Sequence, residues 1–324
     1  DLSPYCDLYG GYVLNATIER YAYSVIKTHS DPVVRFVATD QQIEKVLPIE
    51  TPFKLDGKLD LHVAVYSYFI NNFNNGIPIP LELFTYSDVP VGSGLGSSST
   101  LVVAMIKAFA ELLNSPLDKH AIAHIAYQIE RVDCRLQGGR QDQYSATFGG
   151  LNFMEFYEKE RVVINPLKIN NQITCELESC SLLYFTGISR ESANIITDQI
   201  KSVKTDDSEA LIAMHEIKKE ALVMKECLLK GDFLNLMKSL RLGWENKKRS
   251  AKAVSNSYID NIYNAAIKAG ASAGKVSGAG GGGFMYFLVP VEKRMNVIKT
   301  LNTFGGSISN CHFTKQGAQA WKIG

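Results

Sequence analysis

The chain has 324 residues, 46% of them hydrophobic, and a formal net charge of +1. That length allows two domains with a sizeable core, and the balanced charge gives no reason to expect a nucleic-acid partner. Its most apolar run, Leu101–Leu113, is broken by Lys107 and Glu111 and is too short to cross a bilayer, so neither a membrane segment nor a signal peptide is indicated.

In chain order, Tyr12–Ile26 is rich in β-branched and aromatic residues and reads as strand. Leu81, Leu83 and Thr85 alternate with Glu82, Phe84 and Tyr86, a second strand. It feeds "PVGSGLGSSST", and a helix follows from about Ser98 to Leu113. "NSPLD" ends that helix and starts another over Leu117–Arg131, with Ile122, Ile125, Ala126 and Ile129 on one face. Leu151–Leu167 looks like two strands joined by a charged turn. "SLLYFTG" is a buried strand and Ser192–Lys201 a helix. Asp207–Leu229 is a long amphipathic helix with Gly231 at its C-terminal cap. Helices continue through Leu240 and Ile262, "GGGFMYFLV" is a strand, Val291–Leu301 a helix and "SISNCHF" a final strand. Strands and helices mix without strict alternation, which predicts an α+β fold, and the composition shifts near Pro166.

The six cysteines form no C-x-x-C pair and no dense framework, so a reduced, cytoplasmic protein is expected. His120 and His124 lack the glutamate of a zinc-protease helix. They read as packed or solvent-facing, and the basic run Lys247, Lys248 and Arg249 reads as a solvated helix face.

Three segments carry chemistry. In the first, Gly92-Ser93-Gly94-Leu95-Gly96 has its third glycine one residue too early for a dinucleotide fingerprint, and no lysine follows as a Walker A loop requires. A strand, a glycine turn and a helix start nonetheless make an anion site, because glycine lets backbone N–H groups approach a phosphate and the helix end is positive. A serine-capped core helix accounts for this stretch equally well. In the second, Gly278–Gly283 matches G-x-G-x-x-G literally but precedes a strand. Four consecutive glycines suggest close approach of backbone to another strand or to a ligand. In the third, "ERVDCRLQGGRQDQYSATFGG", Glu130 ends a helix and Asp142 lies in a polar loop. A lone loop aspartate is ordinarily a turn former or a solvated charge.

Together these segments resemble the GHMP small-molecule kinases, the superfamily of galactokinase, homoserine kinase and mevalonate kinase. "PVGSGLGSSS" is similar to that family's ATP-phosphate loop, "GGRQDQYSATFGG" to the catalytic-aspartate segment of its sugar-kinase branch, and "KVSGAGGGGF" to its C-terminal glycine motif. "DLSPYCDLYGGYVLNATI" and "LYFTGISRESANII" extend the resemblance, nearly end to end, to the branch acting on D-glycero-D-manno-heptose 7-phosphate. It implies a two-domain α+β fold: a domain like ribosomal protein S5 domain 2 over residues 1–166 and a ferredoxin-like domain over residues 167–324. It also implies transfer of the γ-phosphoryl group of ATP, with Mg²⁺, to the anomeric hydroxyl, giving the 1,7-bisphosphate for nucleotide-activated heptose synthesis. A kinase for another sugar such as L-fucose and a non-catalytic binding protein of the same fold stay open as alternatives, as does a homodimer.

On this resemblance Pro90, Gly92, Ser93, Gly94, Leu95, Gly96, Ser97, Ser98 and Ser99 would wrap the triphosphate. Ser98 and Glu130 would hold Mg²⁺, and Asp142 would accept the sugar hydroxyl proton or orient that hydroxyl. Gly278, Ala279, Gly280 and Gly281 would approach substrate and phosphates from the second domain. Gly139 and Arg140 would border the sugar, and Asp1 matches an acidic residue that binds sugar hydroxyls. For the sugar phosphate's far end the candidates are Arg190, Arg140 and the Lys247–Arg249 run; a structural hydrogen bond accounts for Arg190 as well as ligand contact does. The family's first strand and a basic residue are expected upstream of Asp1.

Overall fold

A computed structural model describes residues 10–50, 52–158, 160–188 and 208–323. Asp1, Arg190 and the predicted helix Ser192–Lys201 lie outside the described residues.

The strands form three sheets. In the first, β1 (Tyr12–Ala16) pairs antiparallel with β6 (Leu151–Phe156), and β6 with β7 (Val162–Pro166). The second has the order β2-β5-β3-β4, built from Ala22–Thr28, Leu81–Ser87, Val33–Ala38 and Ile43–Pro48. In β3 the alternation is legible: Val34, Phe36 and Ala38 are buried, while Arg35 on the other face pairs with Glu44 and Glu82. Helices α1 (Asp60–Phe73), α2 (Ser97–Leu112) and α3 (Lys119–Tyr127) pack with this sheet in one core through Tyr66, Phe69, Met105, Phe109 and Ile125.

The third sheet has the order β11-β8-β10-β9 from Ser307–Asn310, Ser181–Phe185, Phe284–Leu288 and Ala273–Val276, all antiparallel. That fourth-first-third-second arrangement is the ferredoxin-like one. Helix α6 (Ser208–Lys230) precedes α7 (Phe233–Ser250), α8 (Ser257–Ala269) and α9 (Arg294–Asn302). The last three pack on the third sheet through Trp244, Ile262 and Val297. A further core joins the first sheet's Leu14 and Phe153 to Ile217 of α6 and Leu240 of α7.

The fold is the predicted α+β class, with local differences. Tyr12–Ile26 is two strands in different sheets rather than one. Residues between them turn to meet the end of the chain, where Glu19 N donates to His312 O at 2.9 Å and Thr314 N to Thr17 O at 3.0 Å. The predicted helix Leu117–Arg131 starts at Lys119 behind an Asp118 cap and changes at Gln128 into a π-helical turn that runs to Asp133. Strands β3 and β4, helix α1 and helix α5 (Asn171–Cys180) have no counterpart in the sequence reading. Gly231 ends α6 with φ of 71°, as predicted.

The two glycine segments meet back to back. Phe284 N donates to Ser93 O at 2.9 Å, and a Cβ on Gly283, where φ is +80°, would lie 2.2 Å from that same oxygen. A Cβ on Gly278 would lie 2.8 Å from Gly94 O. The second glycine run makes its close approach to the first glycine loop, and at Gly280 to Val254 O, rather than to another strand. Gly283→Ala should destabilise the protein by about 2–4 kcal/mol through the clash and the left-handed backbone. Thermal melting checks this, and a variant melting with the wild type would contradict the packing described.

Candidate active site

Strand β5 delivers the chain into a loop in which Gly92, Gly94 and Gly96 have φ of 75°, 81° and 71°. Glycine alone enters that region without strain. Helix α2 then starts at Ser97 with Gly96 at its N-cap, and no side chain caps it. The serines bond elsewhere: Ser97 Oγ donates to Pro90 O at 3.4 Å, Ser98 Oγ to Glu130 Oε1 at 3.0 Å and Ser99 Oγ to Glu130 Oε2 at 2.7 Å. The serine-capped alternative is not what this helix builds. Its first turn presents N–H groups and a positive dipole end without a side-chain acceptor, the arrangement an anion completes.

Glu130 is fully buried. The π-helical turn that carries it is an irregularity common at functional sites. Gln143 Nε2 donates to Ser99 Oγ at 3.1 Å and also to Glu130 Oε2, and Arg131 Nη2 lies 4.0 Å from the same carboxylate. One carboxylate thus joins α2, the π-helical turn and α4 (Gln141–Phe148). Ser98 and Glu130 place a hydroxyl and a carboxylate oxygen side by side, hard donors of the kind Mg²⁺ takes when phosphates and waters supply the rest. Among the described residues no group of three or more His, Cys, Asp or Glu gathers. His120 and His124 are exposed, His120 lying edge-on to Phe148.

Asp142 is not in a loop. It sits in the first turn of α4, which Ser145 and Thr147 support by donating to Gln141 O and Gln143 O, both at 2.8 Å, and which ends at Gly149. The polar, glycine-flanked sequence hides this helix, whose apolar side is only Tyr144 and its neighbours. A Cβ on Gly96 would lie 3.0 Å from Asp142 Cγ, so the carboxyl stands against the uncapped end of α2. Burial pushes this carboxyl above the ordinary aspartate range; the Arg131 cation opposes the rise, Glu130 adds to it and Lys247 opposes it. Asp142, Gly94, Leu95, Gly96 and Ser97 are among the residues lining a cavity of about 580 Å³.

Other expected residues sit differently. Ser93 is fully buried and Ser99 nearly so; Ser93 N donates to Pro90 O at 3.2 Å and Ser93 O accepts from Phe284 N at 2.9 Å, so both backbone groups of Ser93 are already engaged within the protein. Gly139 O accepts from Arg131 Nε at 3.2 Å, and Arg140 lays its guanidinium 5.2 Å from the Tyr127 ring centre. Neither Gly139 nor Arg140 is among the residues lining the cavity. The turn at Gly278–Gly281 is held by Gly281 N donating to Val254 O at 2.9 Å and Asn256 Nδ2 to Gly281 O at 3.3 Å. The basic run is not a solvated face throughout. Lys247 is fully buried, and its Nζ donates to Gly278 O, while Lys248 and Arg249 stay partly exposed. Sequence reasoning took Lys247 for a solvated residue and gave Arg131 no role.

Residues 60–150 match the model of the GHMP kinases N terminal domain and residues 224–305 that of the GHMP kinases C terminal domain. The chain belongs to the GHMP kinases, a family of ATP-dependent kinases. It is 47% identical over 323 residues to the D-glycero-alpha-D-manno-heptose 7-phosphate kinase of Campylobacter jejuni, covering 100% of this chain and 94% of that protein. The crystal structure of a D-glycero-D-manno-heptose 1-phosphate kinase from Bacteroides thetaiotaomicron is 39% identical, with a TM-score of 0.81 over 100% of this chain and 94% of that one. Lactococcus lactis galactokinase, at 17% identity and a TM-score of 0.78 over 98% of this chain and 91% of that one, shares the fold.

The charges around Asp142 give a titration test. Its carboxyl should titrate above the ordinary ~3.9, and higher again in Arg131→Met, since removing a cation disfavours the ionised form. Carbon-13 NMR of the labelled carboxyl checks this; an ordinary midpoint in the wild type would contradict the burial.

Proposed function

We propose that this protein is an ATP- and Mg²⁺-dependent sugar kinase that phosphorylates the anomeric hydroxyl of D-glycero-D-manno-heptose 7-phosphate, giving the 1,7-bisphosphate. The observation that carries the reading is the convergence at one helix end: the uncapped first turn of α2, the Ser98–Glu130 oxygen pair and the Asp142 carboxyl against Gly96. The full-length relationship to the Campylobacter jejuni heptose 7-phosphate kinase supports the choice of sugar.

In this reading the triphosphate lies along Gly92–Ser99, with backbone N–H groups and the dipole of α2 against its oxygens. Ser98 and Glu130 would hold Mg²⁺, which when bound would supply charge neutralisation to the phosphates. Asp142 accepts the proton of the anomeric hydroxyl as that oxygen bonds to the γ-phosphorus and the bond to the ADP oxygen breaks. Phosphoryl transfer has a loose transition state, so positioning and charge outweigh base strength. A half-buried carboxyl with a raised pKa still suits a base near neutral pH. Because the folded-state pKa is raised, the ionised form is lost as pH falls through that raised value, and activity should fall there too. The described cysteines are all free thiols, which supports a reducing, cytoplasmic setting.

Asp142→Asn should lower kcat about 10²–10⁴-fold with the Mg-ATP dissociation constant changed only a few-fold. Steady-state kinetics with calorimetry measures both, and a variant as active as the wild type would remove Asp142 from the chemistry. ADP release across a panel of sugars and sugar phosphates tests the substrate. Heptose 7-phosphate should give the highest kcat/KM, and preference for an unphosphorylated sugar such as L-fucose would overturn the assignment.

A further inference from the structure

Lys247 is a fully buried lysine that the reaction as described leaves unused. Its helix α7 buries Leu236, Ser239, Leu240, Gly243, Trp244, Lys247 and Ser250 in a stripe at spacings of three and four, so the ammonium is carried inward on the core face. A buried charge is retained only where charge or hydrogen bonding compensates its desolvation. Here Nζ donates to the carbonyl of Gly278. Gly278 rests on the Gly94 carbonyl, and Gly96, two residues on, rests against Asp142. Three contacts therefore separate Lys247 from the proposed base, through both glycine turns.

We propose that Lys247 is a positioning residue for the transfer reaction, fixing the second glycine turn by its Gly278 carbonyl and presenting a buried positive charge to the Asp142 side of the cleft. The proposal rests on the kinase reading above and adds a residue to it. Among the described residues, charged groups acting on Asp142 come from two elements: Glu130 and Arg131 of the π-helical turn, and Lys247 of α7. Glu130 and Arg131 lie 4.0 Å apart and offset one another locally, which leaves Lys247 as the contribution from the second half of the molecule.

Lys247→Gln and Lys247→Arg separate the two parts of the role. Glutamine can still donate to Gly278 O but carries no charge; arginine keeps the charge. For Lys247→Gln we expect a wild-type melting profile to within a few degrees, kcat lowered about tenfold or more, KM for Mg-ATP within a few-fold, and the acid limb of kcat moved to higher pH. The sign follows because losing a cation raises the Asp142 pKa, so the carboxylate is protonated sooner as pH falls. Lys247→Arg should restore the acid limb and part of kcat. The Asp142 carboxyl titration, which needs no turnover, should move up in Lys247→Gln and return in Lys247→Arg. A glutamine variant with an unmoved titration and wild-type kcat, or one that only melts lower, would overturn the proposal. A wild type that turns over no sugar would instead count against the kinase reading, with the titration still deciding the role of Lys247.

Discussion

The structure depends on two glycine turns meeting backbone to backbone. Ser93 O accepts from Phe284 N at 2.9 Å, Gly278 sits on Gly94 O, and side chains at Gly94, Gly278 or Gly283 would enter that space. Each turn comes from a different half of the chain and leads directly into or out of a regular element: α2 from the first turn, β10 from the second. The contact therefore fixes where the N-terminus of α2 stands relative to the third sheet. Glycine costs conformational entropy everywhere, and a run of four is retained where no side chain fits.

Around that contact the charges are arranged by helix ends. Glu130 is withdrawn from water and held by Ser98, Ser99 and Gln143, so its orientation is fixed from two neighbouring helices. Asp142 is aimed at the same place from the first turn of α4. Two carboxylates near an uncapped helix N-terminus suit a site that handles phosphate and metal, because cation and dipole offset a concentration of negative charge. Lys247 extends this arrangement across to α7. On this view the second half of the molecule does more than close over the ligand; it contributes charge through a turn that it also holds in place.

Much of this was legible in the sequence because the decisive signals are local. Glycine spacing in "PVGSGLGSSST" excluded two familiar phosphate loops, and the strand-turn-helix order pointed to a third kind. The amphipathic helix ending at Gly231 and the strand after Gly283 follow from periodicity and turn chemistry alone. What was missed depends on contacts distant in sequence. Tyr12–Ile26 divides because residues near its middle bond to the chain's far end, 293 positions away for Glu19 and His312. Helix α4 is too polar for periodicity to reveal, and its identity rests on packing against α2. The basic run was taken as one solvated face, yet the stripe from Leu236 through Trp244 continues at helical spacing onto Lys247 and passes by Lys248. That phase was readable, and charge alone obscured it.

One helix end, the N-terminus of α2, is proposed to organise nucleotide, metal and base. A crystal structure with Mg²⁺ and a non-hydrolysable ATP analogue tests it most directly. Phosphate oxygens are expected on the backbone N–H groups between Gly94 and Ser98, the metal in contact with Ser98 Oγ and a Glu130 carboxylate oxygen, and the γ-phosphoryl facing Asp142. A triphosphate bound away from α2, or a metal that touches neither Ser98 nor Glu130, would contradict it.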